Sequence, residues 1–378
     1  MPFYVNLPQA ALGSVLLAVG TLATRAAARH FFQPRWLERL LSLGTLAWLA
    51  VSLDLGLPAE LHQHSPSTVS VWSSAIALFW VGISAGIAVF LRFRAPARAF
   101  DPSRRRLLTG AGATALAAPL AATGYGMYVA NRTPKVTEMS IPVAELHPDL
   151  EGLRIVQLSD IHLSPFFSRG DLSRAVSLAN ETRAHIAVVT GDLISSAADP
   201  LEDCIQELRR LRSVAGTLGC LGNHEVYAKA EDLAELLGRK AGIEFLRGSA
   251  RQLRFGRAAF NIAGVDYQRK GFPYLRGVGA LVNPETPNLL LSHSPDVLPV
   301  AAELGFDVML SGHTHGGQVT VEILHQSITP ARFYTPFVRG LYTHGRTSAY
   351  VNTGLGTVGA PIRIGAEPEI ALIRLVKA

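Results

Sequence analysis

Two histidines, His313 and His315, lie two positions apart in the segment SGHTHGGQ (311–318), directly after the apolar run FDVML. In an extended chain the side chains of residues i and i+2 point the same way, so both imidazoles can project from the end of one strand. The flanking glycines allow a sharp turn and the close approach of a bulky group. Imidazoles beside an open space suit a metal ion, whereas the alternative is a polar loop with two exposed histidines.

An apolar run that ends in polar residues occurs five times after residue 150. Runs of this length bounded by turn signals are typical of buried strands, and residues 169–182 and 200–214 between them have helical spacing. The sequence therefore predicts an α/β layered fold with polar residues at strand ends, where open sheets place their active sites. The five runs are GLRIVQLSD (152–160), HIAVVTGD (185–192), GTLGCLGNHE (216–225), NLLLSH (288–293) and FDVMLSGH (306–313).

The polar residues at these strand ends form an ordered series. Taken singly, each has an ordinary alternative: Asp192 could cap a helix, Asn223 could favour a turn, and His293 could be a core histidine. Taken together, the series resembles the motifs D-x-H, G-D, G-N-H-D/E, H and G-H-x-H of the calcineurin-like metallophosphoesterases, in their order, over residues 153–318. The motifs are DIH with Asp160 and His162, GD with Asp192, GNHE with Asn223 and His224, His293, and GHTH with His313 and His315.

The resemblance implies an α/β fold, a four-layer β-sandwich flanked by helices, with two divalent metal ions in its cleft. Within the family, the apolar N-terminal part and the GHTHGGQ form look most like the bacterial membrane-associated branch. The resemblance assigns Asp160, His162 and His315 to the first ion. It assigns Asn223, His293 and His313 to the second ion, with Asp192 bridging both. His224 would bind no metal and would be the catalytic residue that faces the substrate.

The chemistry of such a site follows from its residue types. Carboxylates and imidazoles together suit Mn, Fe or Zn better than Mg or Ca, and Mn is the favoured ion. Two divalent ions can clamp an in-line displacement at phosphorus and lower the pKa of a bridging water. We expect hydrolysis of a phosphodiester by a metal-bridging hydroxide, with His224 protonating the leaving group. The alternatives are a metal-dependent nuclease or nucleotide phosphodiesterase, and a non-catalytic metal-binding module.

The first third of the chain is unusually apolar. Four stretches carry at most one charged side chain each, and about 20 apolar residues suffice to cross a bilayer as a helix. We expect a membrane region with about four transmembrane helices at 1–131, a linker and edge strand at 132–152, and the metallophosphoesterase domain at 153–378. The four stretches are residues 11–23, 40–57, 69–91 and 107–130.

The arginines of this region indicate its orientation. They cluster between the first and second stretches and between the third and fourth, and the connection between the second and third has none. Because basic residues stay on the cytoplasmic side, we expect the catalytic domain on the outer face of a bacterial inner membrane. The segment SRRRLL (103–108) resembles a twin-arginine export signal, with an ordinary basic flank as the alternative.

The formal net charge of +6 is unevenly distributed. Residues 1–135 carry 12 of the 35 Lys and Arg residues and 4 of the 29 Asp and Glu residues, which leaves 23 basic and 25 acidic residues in 136–378. A domain charge of −2 provides no basic excess for a phosphate backbone, so no nucleic acid is expected. The expected partners are a phosphoester substrate, lipid-linked in the favoured interpretation, and the membrane. The sequence assigns no protein partner.

Several residues have two interpretations. Segments 272–279 and 331–342 place aromatic residues beside arginines and form either an apolar lip that faces the membrane or ordinary packing. Arg363 either reaches a phosphate or is solvated. Asp266 either supports a ligand histidine or is a turn acid. The two cysteines, Cys204 and Cys220, are either bridged or buried as thiols.

Overall fold

The structure, a computed structural model, describes residues 121–122, 124–130, 132–323 and 326–378. By its internal contacts the chain divides into two compact units, Met1–Gly126 and Met127–Ala378. Residues 121–122 and 124–130 are helical. Within the described part of the chain, no helix has both the length and the apolar character needed to span a bilayer. The predicted membrane stretches 11–23, 40–57 and 69–91 lie outside the described residues, as does most of 107–130.

Two six-stranded sheets and a short hairpin form the second unit. The first sheet has the order β1-β14-β2-β3-β4-β5 and the second has the order β12-β13-β9-β8-β7-β6, while β10 pairs with β11. The strands are β1 (Lys135–Val143), β2 (Arg154–Leu158), β3 (Ile186–Thr190), β4 (Thr217–Cys220), β5 (Ile243–Phe245), β6 (Ser249–Phe255), β7 (Ala258–Gly264), β8 (Asn288–Leu291), β9 (Val308–Ser311), β10 (Val321–Ile323), β11 (Gln326–Ile328), β12 (Gly340–His344), β13 (Thr347–Val351) and β14 (Glu369–Lys377).

The described α-helices of this unit connect the strands. They are α1 (Arg169–Glu181), α2 (Leu201–Leu208), α3 (Asn223–Ala228), α4 (Glu231–Ala241) and α5 (Leu298–Leu304). Helix α1 begins at a capping box, in which the Ser168 side chain accepts from the Asp171 N–H and the Asp171 carboxylate accepts from the Ser168 N–H. Such reciprocal bonds satisfy two N–H groups that a helix start leaves unpaired. Helix α4 ends at Gly242, whose φ of 79° lies in the left-handed region.

Alternating side chains of the strands supply three separate cores. On β3, Ile186 and Val188 face the core between the two sheets, whereas Ala187 and Val189 face helices on the outer side of the first sheet. On β9, Leu310 enters the core between the sheets, and α5 packs on the opposite face of the second sheet. Because successive strand residues point to opposite faces, one short apolar run can supply two cores. The unit is therefore layered as helices, sheet, sheet and helix.

The strand directions bring the predicted polar residues to one edge. Strands β2, β3 and β4 run parallel in the first sheet, and β7, β8 and β9 run parallel in the second. The carboxyl ends of parallel strands meet at a common edge, so the loops that follow them are neighbours.

Cys204 and Cys220 lie inside this framework, and both are buried free thiols. The interpretation of these residues as a disulfide bridge is therefore wrong.

Candidate metal centre

Two groups of potential metal-ligating side chains lie at the carboxyl ends of these strands. In each group every residue offers one ligand atom, and these atoms all lie within 4.8 Å of one another. Asp192 belongs to both groups, so they meet at its carboxylate. The first group is Asp160, His162, Asp192 and His315, and the second is Asp192, His293 and His313.

The distances around Asp192 show how the groups join. Its Oδ2 atom lies 3.5 Å from His162 Nε2 and 3.0 Å from His293 Nε2. His293 Nε2 also lies 3.1 Å from Asn223 Oδ1, which brings that amide to the second group. His315 Nε2 lies 3.2 Å from His162 Nε2 in the first group. Asp192 Oδ2 is thus the atom that faces both groups.

These distances fit the edges of a metal coordination shell. Bonds of about 2.1 Å with angles between octahedral and tetrahedral values place neighbouring ligand atoms about 3.0–3.4 Å apart. The donor separations at Asp192, His162 and His293 fall at or near this range.

The hydrogen bonds of His293 offer a second argument for a cation site. Its Nδ1 lies 2.7 Å from the Thr190 carbonyl and must donate to it, so the Nε2 lone pair of the neutral ring faces two further acceptor oxygens. Such an arrangement is satisfied by a metal ion bound at Nε2 or, without one, by protonation of the ring.

Burial and charge shift the pKa values of this cluster in opposite directions. Burial raises the pKa of Asp160. Burial would also raise the pKa of Asp192, but the His293 charge and hydrogen bonds from His162 and His293 hold it well below its ordinary value. Burial would lower the pKa of His293, but Asp192 raises it to about 10. Burial and the His293 charge lower the pKa of His313 to about 4. Bound divalent cations would favour ionised carboxylates and neutral imidazoles throughout.

Five of the predicted ligands have strained backbones. The φ angles are 48° at Asp160, 46° at His162, 54° at Asp192, 75° at His313 and 51° at His315. Residues with a Cβ atom rarely adopt this left-handed region, and strain of this kind concentrates at functional sites. Each residue follows a strand, so the left-handed turn re-aims its side chain toward the shared edge.

Glycines beside the ligands leave space for these turns. A Cβ atom on Gly222 would lie 2.1 Å from Asp192 Oδ1, and one on Gly312 would lie 2.1 Å from Asp160 Oδ2. Both distances are far below contact, so any larger residue would displace a carboxylate. The glycines of GNHE and GHTH are therefore required by close approach of the two aspartates.

His224 is adjacent to both groups but belongs to neither. Its ring is perpendicular to that of His162, with 4.7 Å between the ring centroids. Its Nδ1 lies 2.7 Å from the Ser195 carbonyl and must donate to it. The backbone N–H of His224 donates to Asp192 Oδ1, which ties the histidine to the shared carboxylate. The ring is half-buried and is placed to exchange a proton through Nε2.

Glu225 is a buried carboxylate whose role the sequence analysis missed. It accepts hydrogen bonds from the backbone N–H groups of Asp192 (3.0 Å), Leu193 (2.7 Å) and Gly222 (2.8 Å). It therefore joins the loop after β3 to the loop after β4. The available signal was an acidic residue at the third position of α3, where a side chain can reach back to the N–H before the helix.

Two tyrosines at the site were also missed, because nothing in their local sequence marks them. The Tyr267 ring lies 5.7 Å from the His313 ring, and the Tyr227 ring lies 5.6 Å from the His224 ring. Burial and, to a smaller extent, the neighbouring Tyr227 raise the pKa of Tyr267 to about 12. The Tyr267 hydroxyl therefore stays protonated. The two phenols flank the centre, Tyr267 from the loop after β7 and Tyr227 from helix α3.

Arg363 and Asp266 lie elsewhere than the sequence suggested. Arg363 is fully buried and donates to the backbone carbonyls of Thr353, Gly354 and Gly356, so it is neither solvated nor a phosphate ligand. Asp266 accepts from Arg247 at 2.9 Å in a surface ion-pair network. The interpretation of Asp266 as support for a ligand histidine has no contact in its favour.

Paired sheets with two histidine–carboxylate groups at one edge define a metal-binding α/β protein. The profile of the family described as calcineurin-like phosphoesterase matches residues 153–317. A protein named as the uncharacterized metallophosphoesterase YkuE, from Bacillus subtilis, is 32% identical over 279 residues, which are 72% of this chain and 97% of that protein. The chain belongs to the calcineurin-like phosphoesterase family.

Two further relatives are longer than the matched region. A "Transmembrane protein with metallophosphoesterase domain" from Danio rerio is 36% identical over 270 residues, which are 67% of this chain and 60% of that protein. An uncharacterized metallophosphoesterase of Campylobacter jejuni is 31% identical over 65% of this chain and 64% of that protein. The chain thus spans less than two thirds of these two relatives. The family indicates phosphoester hydrolysis with divalent metals, and the donor groups agree with it.

Proposed function

We propose that this protein is a binuclear metal-dependent phosphoesterase that hydrolyses a phosphodiester. The observation that carries the proposal is the position of Asp192 Oδ2, which lies within 3.5 Å of a histidine from each donor group. A shared carboxylate oxygen is the arrangement that two adjacent cations require. The first ion would be held by Asp160, His162 and His315, the second by Asn223, His293 and His313, and both by Asp192.

The protein's own residues supply positioning and a proton. Two bound divalent ions would supply Lewis acidity that activates water and neutralises charge on the phosphoryl oxygens. Glu225 and the two glycines hold Asp192 and Asp160 in place. Because the Nδ1–H of His224 donates to the Ser195 carbonyl, Nε2 is the atom that would take up a second proton from solvent and pass it to the leaving oxygen. This proton would assist departure of the poor alkoxide leaving group of an alkyl phosphoester, and the ester proposed here is a phosphodiester.

The substrate is proposed to be lipid-linked and presented at a membrane. Support comes from the apolar stretches within residues 1–130 and from the Danio rerio relative, whose name describes a transmembrane protein. The charge of −2 over residues 136–378 disfavours the nucleic-acid alternative. The arginine distribution supports an outer-face position for the domain in this proposal.

Metal removal and substrate comparison test the proposal. The full chain, purified in detergent, is stripped with a chelator and reconstituted with Mn, Fe or Zn, and hydrolysis of bis(p-nitrophenyl) phosphate is compared with that of the monoester. We expect loss of diester hydrolysis on chelation and recovery with two ions per chain. A protein that binds two ions and hydrolyses neither ester would be a binding module, and strongly salt-dependent cleavage of DNA would instead indicate a nuclease.

Asp192→Asn provides the test of the shared ligand. Loss of the charge that faces both ions should remove metal and activity together, measured as metal content per chain and diester hydrolysis. The matched control is Asp203→Asn, because Asp203 pairs with Arg169 at the surface. If Asp192→Asn retains two ions per chain while activity falls, Asp192 is not the bridging residue.

A further inference from the structure

Two loops beside the metal centre extend away from it and carry exposed aromatic rings. The segment 267–277 follows β7 and begins with Tyr267, whose ring contacts His313. The segment 328–342 runs from the end of β11 into β12, and Thr314 of the GHTH loop donates to its Val338 carbonyl. The Lys270 ammonium donates to the Tyr334 carbonyl and so joins the two segments. Both therefore form one surface at the rim of the centre.

The rings on this surface are among the most exposed apolar side chains described. Phe333 is 90% exposed, Tyr334 is 73% exposed and Phe272 is 62% exposed. Single apolar residues on a surface are ordinary, but three large rings on joined loops indicate a contact surface. We name the aromatic–basic face by its six residues, which are Arg269, Lys270, Phe272, Arg332, Phe333 and Tyr334.

The charge of the two segments is of one sign. Residues 267–277 contain three basic and no acidic residues, and residues 328–342 contain two basic and no acidic residues. The domain as a whole carries more acidic than basic side chains, so this face departs from its surroundings. The Arg269 guanidinium lies 5.6 Å from the centre of the Phe272 ring, which places a cation directly beside exposed apolar surface.

We propose that the aromatic–basic face docks onto an anionic lipid bilayer. Aromatic rings favour the boundary between headgroups and acyl chains, and arginine and lysine beside them contact lipid phosphates. A nucleic acid would require a longer basic track than the acidic remainder of the domain offers. The aromatic–basic face also differs from an ordinary protein–protein interface. The cores of such interfaces are depleted of lysine, whereas this face carries basic side chains of a single charge sign beside its rings.

The consequence is a metal centre that opens at the membrane surface. The face borders the GHTH loop through Val338 and Tyr267, so a phosphoester of a lipid headgroup would meet the centre without leaving the bilayer. This consequence rests on the proposed function. The docking proposal does not rest on the proposed function, because membrane contact is measured without substrate turnover.

Site-specific fluorescence tests the docking. Cys204 and Cys220 are buried, so a thiol-reactive nitrobenzoxadiazole probe reports an introduced cysteine. Phe333→Cys carries the probe on the face. Val214→Cys is the matched control, because Val214 is 78% exposed and lies before β4, at the end of the strand away from the centre. The full-length variants are reconstituted into nanodiscs of phosphatidylcholine with or without one third phosphatidylglycerol, each containing a spin-labelled lipid that quenches the probe.

We expect quenching at position 333 about twofold or more above that at position 214 in anionic discs, since each basic side chain contributes about a fivefold factor to partitioning onto an anionic surface. The combined variant Arg269→Glu, Lys270→Glu and Arg332→Glu should abolish this difference while hydrolysis of a soluble diester continues. Equal quenching at the two positions overturns the proposal. So does a response of the position-333 probe to a single-stranded oligonucleotide but not to anionic lipid.

Discussion

At the scale of single residues, His224 differs from the other site histidines in what surrounds its nitrogens. Its Nδ1 donates to the Ser195 carbonyl at 2.7 Å, and the residue lies outside both donor groups. By contrast, Nε2 of both His162 and His293 faces the Asp192 carboxylate. A histidine fixed by a carbonyl on one side and left half-buried on the other is suited to proton transfer.

His224→Ala should keep both metals and lose activity by about 10²–10⁴, the usual contribution of a positioned general acid. The loss should be smaller for nitrophenol esters, because a good leaving group needs less protonation. The measurements are metal content and the ratio of rates for an alkyl and a nitrophenyl diester. His344→Ala is the control, since His344 is exposed on β12. An equal loss for both leaving groups would show that His224 does not act as the acid.

The buried carboxylate of Glu225 makes a second residue-scale prediction. In Glu225→Gln, one side-chain oxygen becomes an NH₂ group that faces backbone N–H donors of Asp192, Leu193 or Gly222. Each buried donor left unpaired costs about 1–3 kcal/mol of unfolding free energy, and loss of ligand support typically costs about 10–100-fold in metal affinity. Urea unfolding and metal titration measure the two effects.

The variant Glu207→Gln is the control that separates an effect on folding stability from an effect on metal binding. Glu207 on α2 is also buried, but it pairs with Arg169 at the start of α1 and with Arg210 just after α2. This variant should be less stable and should bind metal normally. If Glu225→Gln also binds metal normally, Glu225 stabilises the fold without positioning Asp192.

At the scale of elements, the loop after β13 depends on a buried arginine. Arg363 donates to carbonyls of residues 353–356. The same loop donates to the backbone of the D-x-H motif, from Leu355 to Ser159 at 3.0 Å and from Gly356 to Asp160 at 2.8 Å. No carboxylate among the described residues forms an ion pair with Arg363. The guanidinium therefore stabilises a turn of backbone that in turn holds Asp160.

Arg363→Met should weaken the first donor group selectively. Carbonyls that lose the guanidinium become unpaired inside the protein, and the loop that holds Asp160 should loosen. We expect the ion of Asp160, His162 and His315 to bind more weakly while the second ion is retained, measured as metal content at graded free metal. Arg374→Met is the control, because Arg374 is exposed on β14. Equal weakening of both ions would argue against a local role for the loop.

At the scale of the whole molecule, the side of the membrane decides which substrates reach the centre. Moving a charged side chain to the middle of a bilayer costs about 2.5–3.5 kcal/mol on insertion scales, so reversal of the arginine cluster at 92–106 is strongly disfavoured. The stretch 107–130 would then exit from that cluster to the outer face. In this proposal, the orientation of the domain depends on this one stretch.

Protease added to spheroplasts should reach the domain. Arg183 and Arg257 are exposed outside the aromatic–basic face and offer trypsin sites, and a reporter fused after Ala378 should be active outside the cell membrane. A cytoplasmic protein that stays intact in the same spheroplasts serves as the control. Protection of the domain until lysis would place the centre in the cytoplasm, with cytoplasmic lipid precursors as substrates.

The sequence alone determined the five strands that carry the site, their polar ends and the family. Apolar runs bounded by turn residues are local signals, so β2, β3, β4, β8 and β9 could be predicted from their own residues. The order of the D-x-H, G-D, G-N-H-E and G-H-x-H motifs is likewise written along the chain. Parallel strands place their carboxyl ends together, and for this reason the neighbourhood of Asp160, Asp192 and Asn223 was predictable.

Only the tertiary structure decided which partners these residues have. The approach of His293 and His162 to one oxygen of Asp192 requires the packing of two sheets, which no local pattern encodes. Burial reversed the expectation for Arg363, because a charged residue is solvated unless the folded backbone supplies acceptors around it. The role of Glu225 also depends on partners that only the folded chain supplies. Two of its hydrogen-bond donors, Asp192 and Leu193, lie on a loop about 30 residues away in sequence, and only folding brings them within reach.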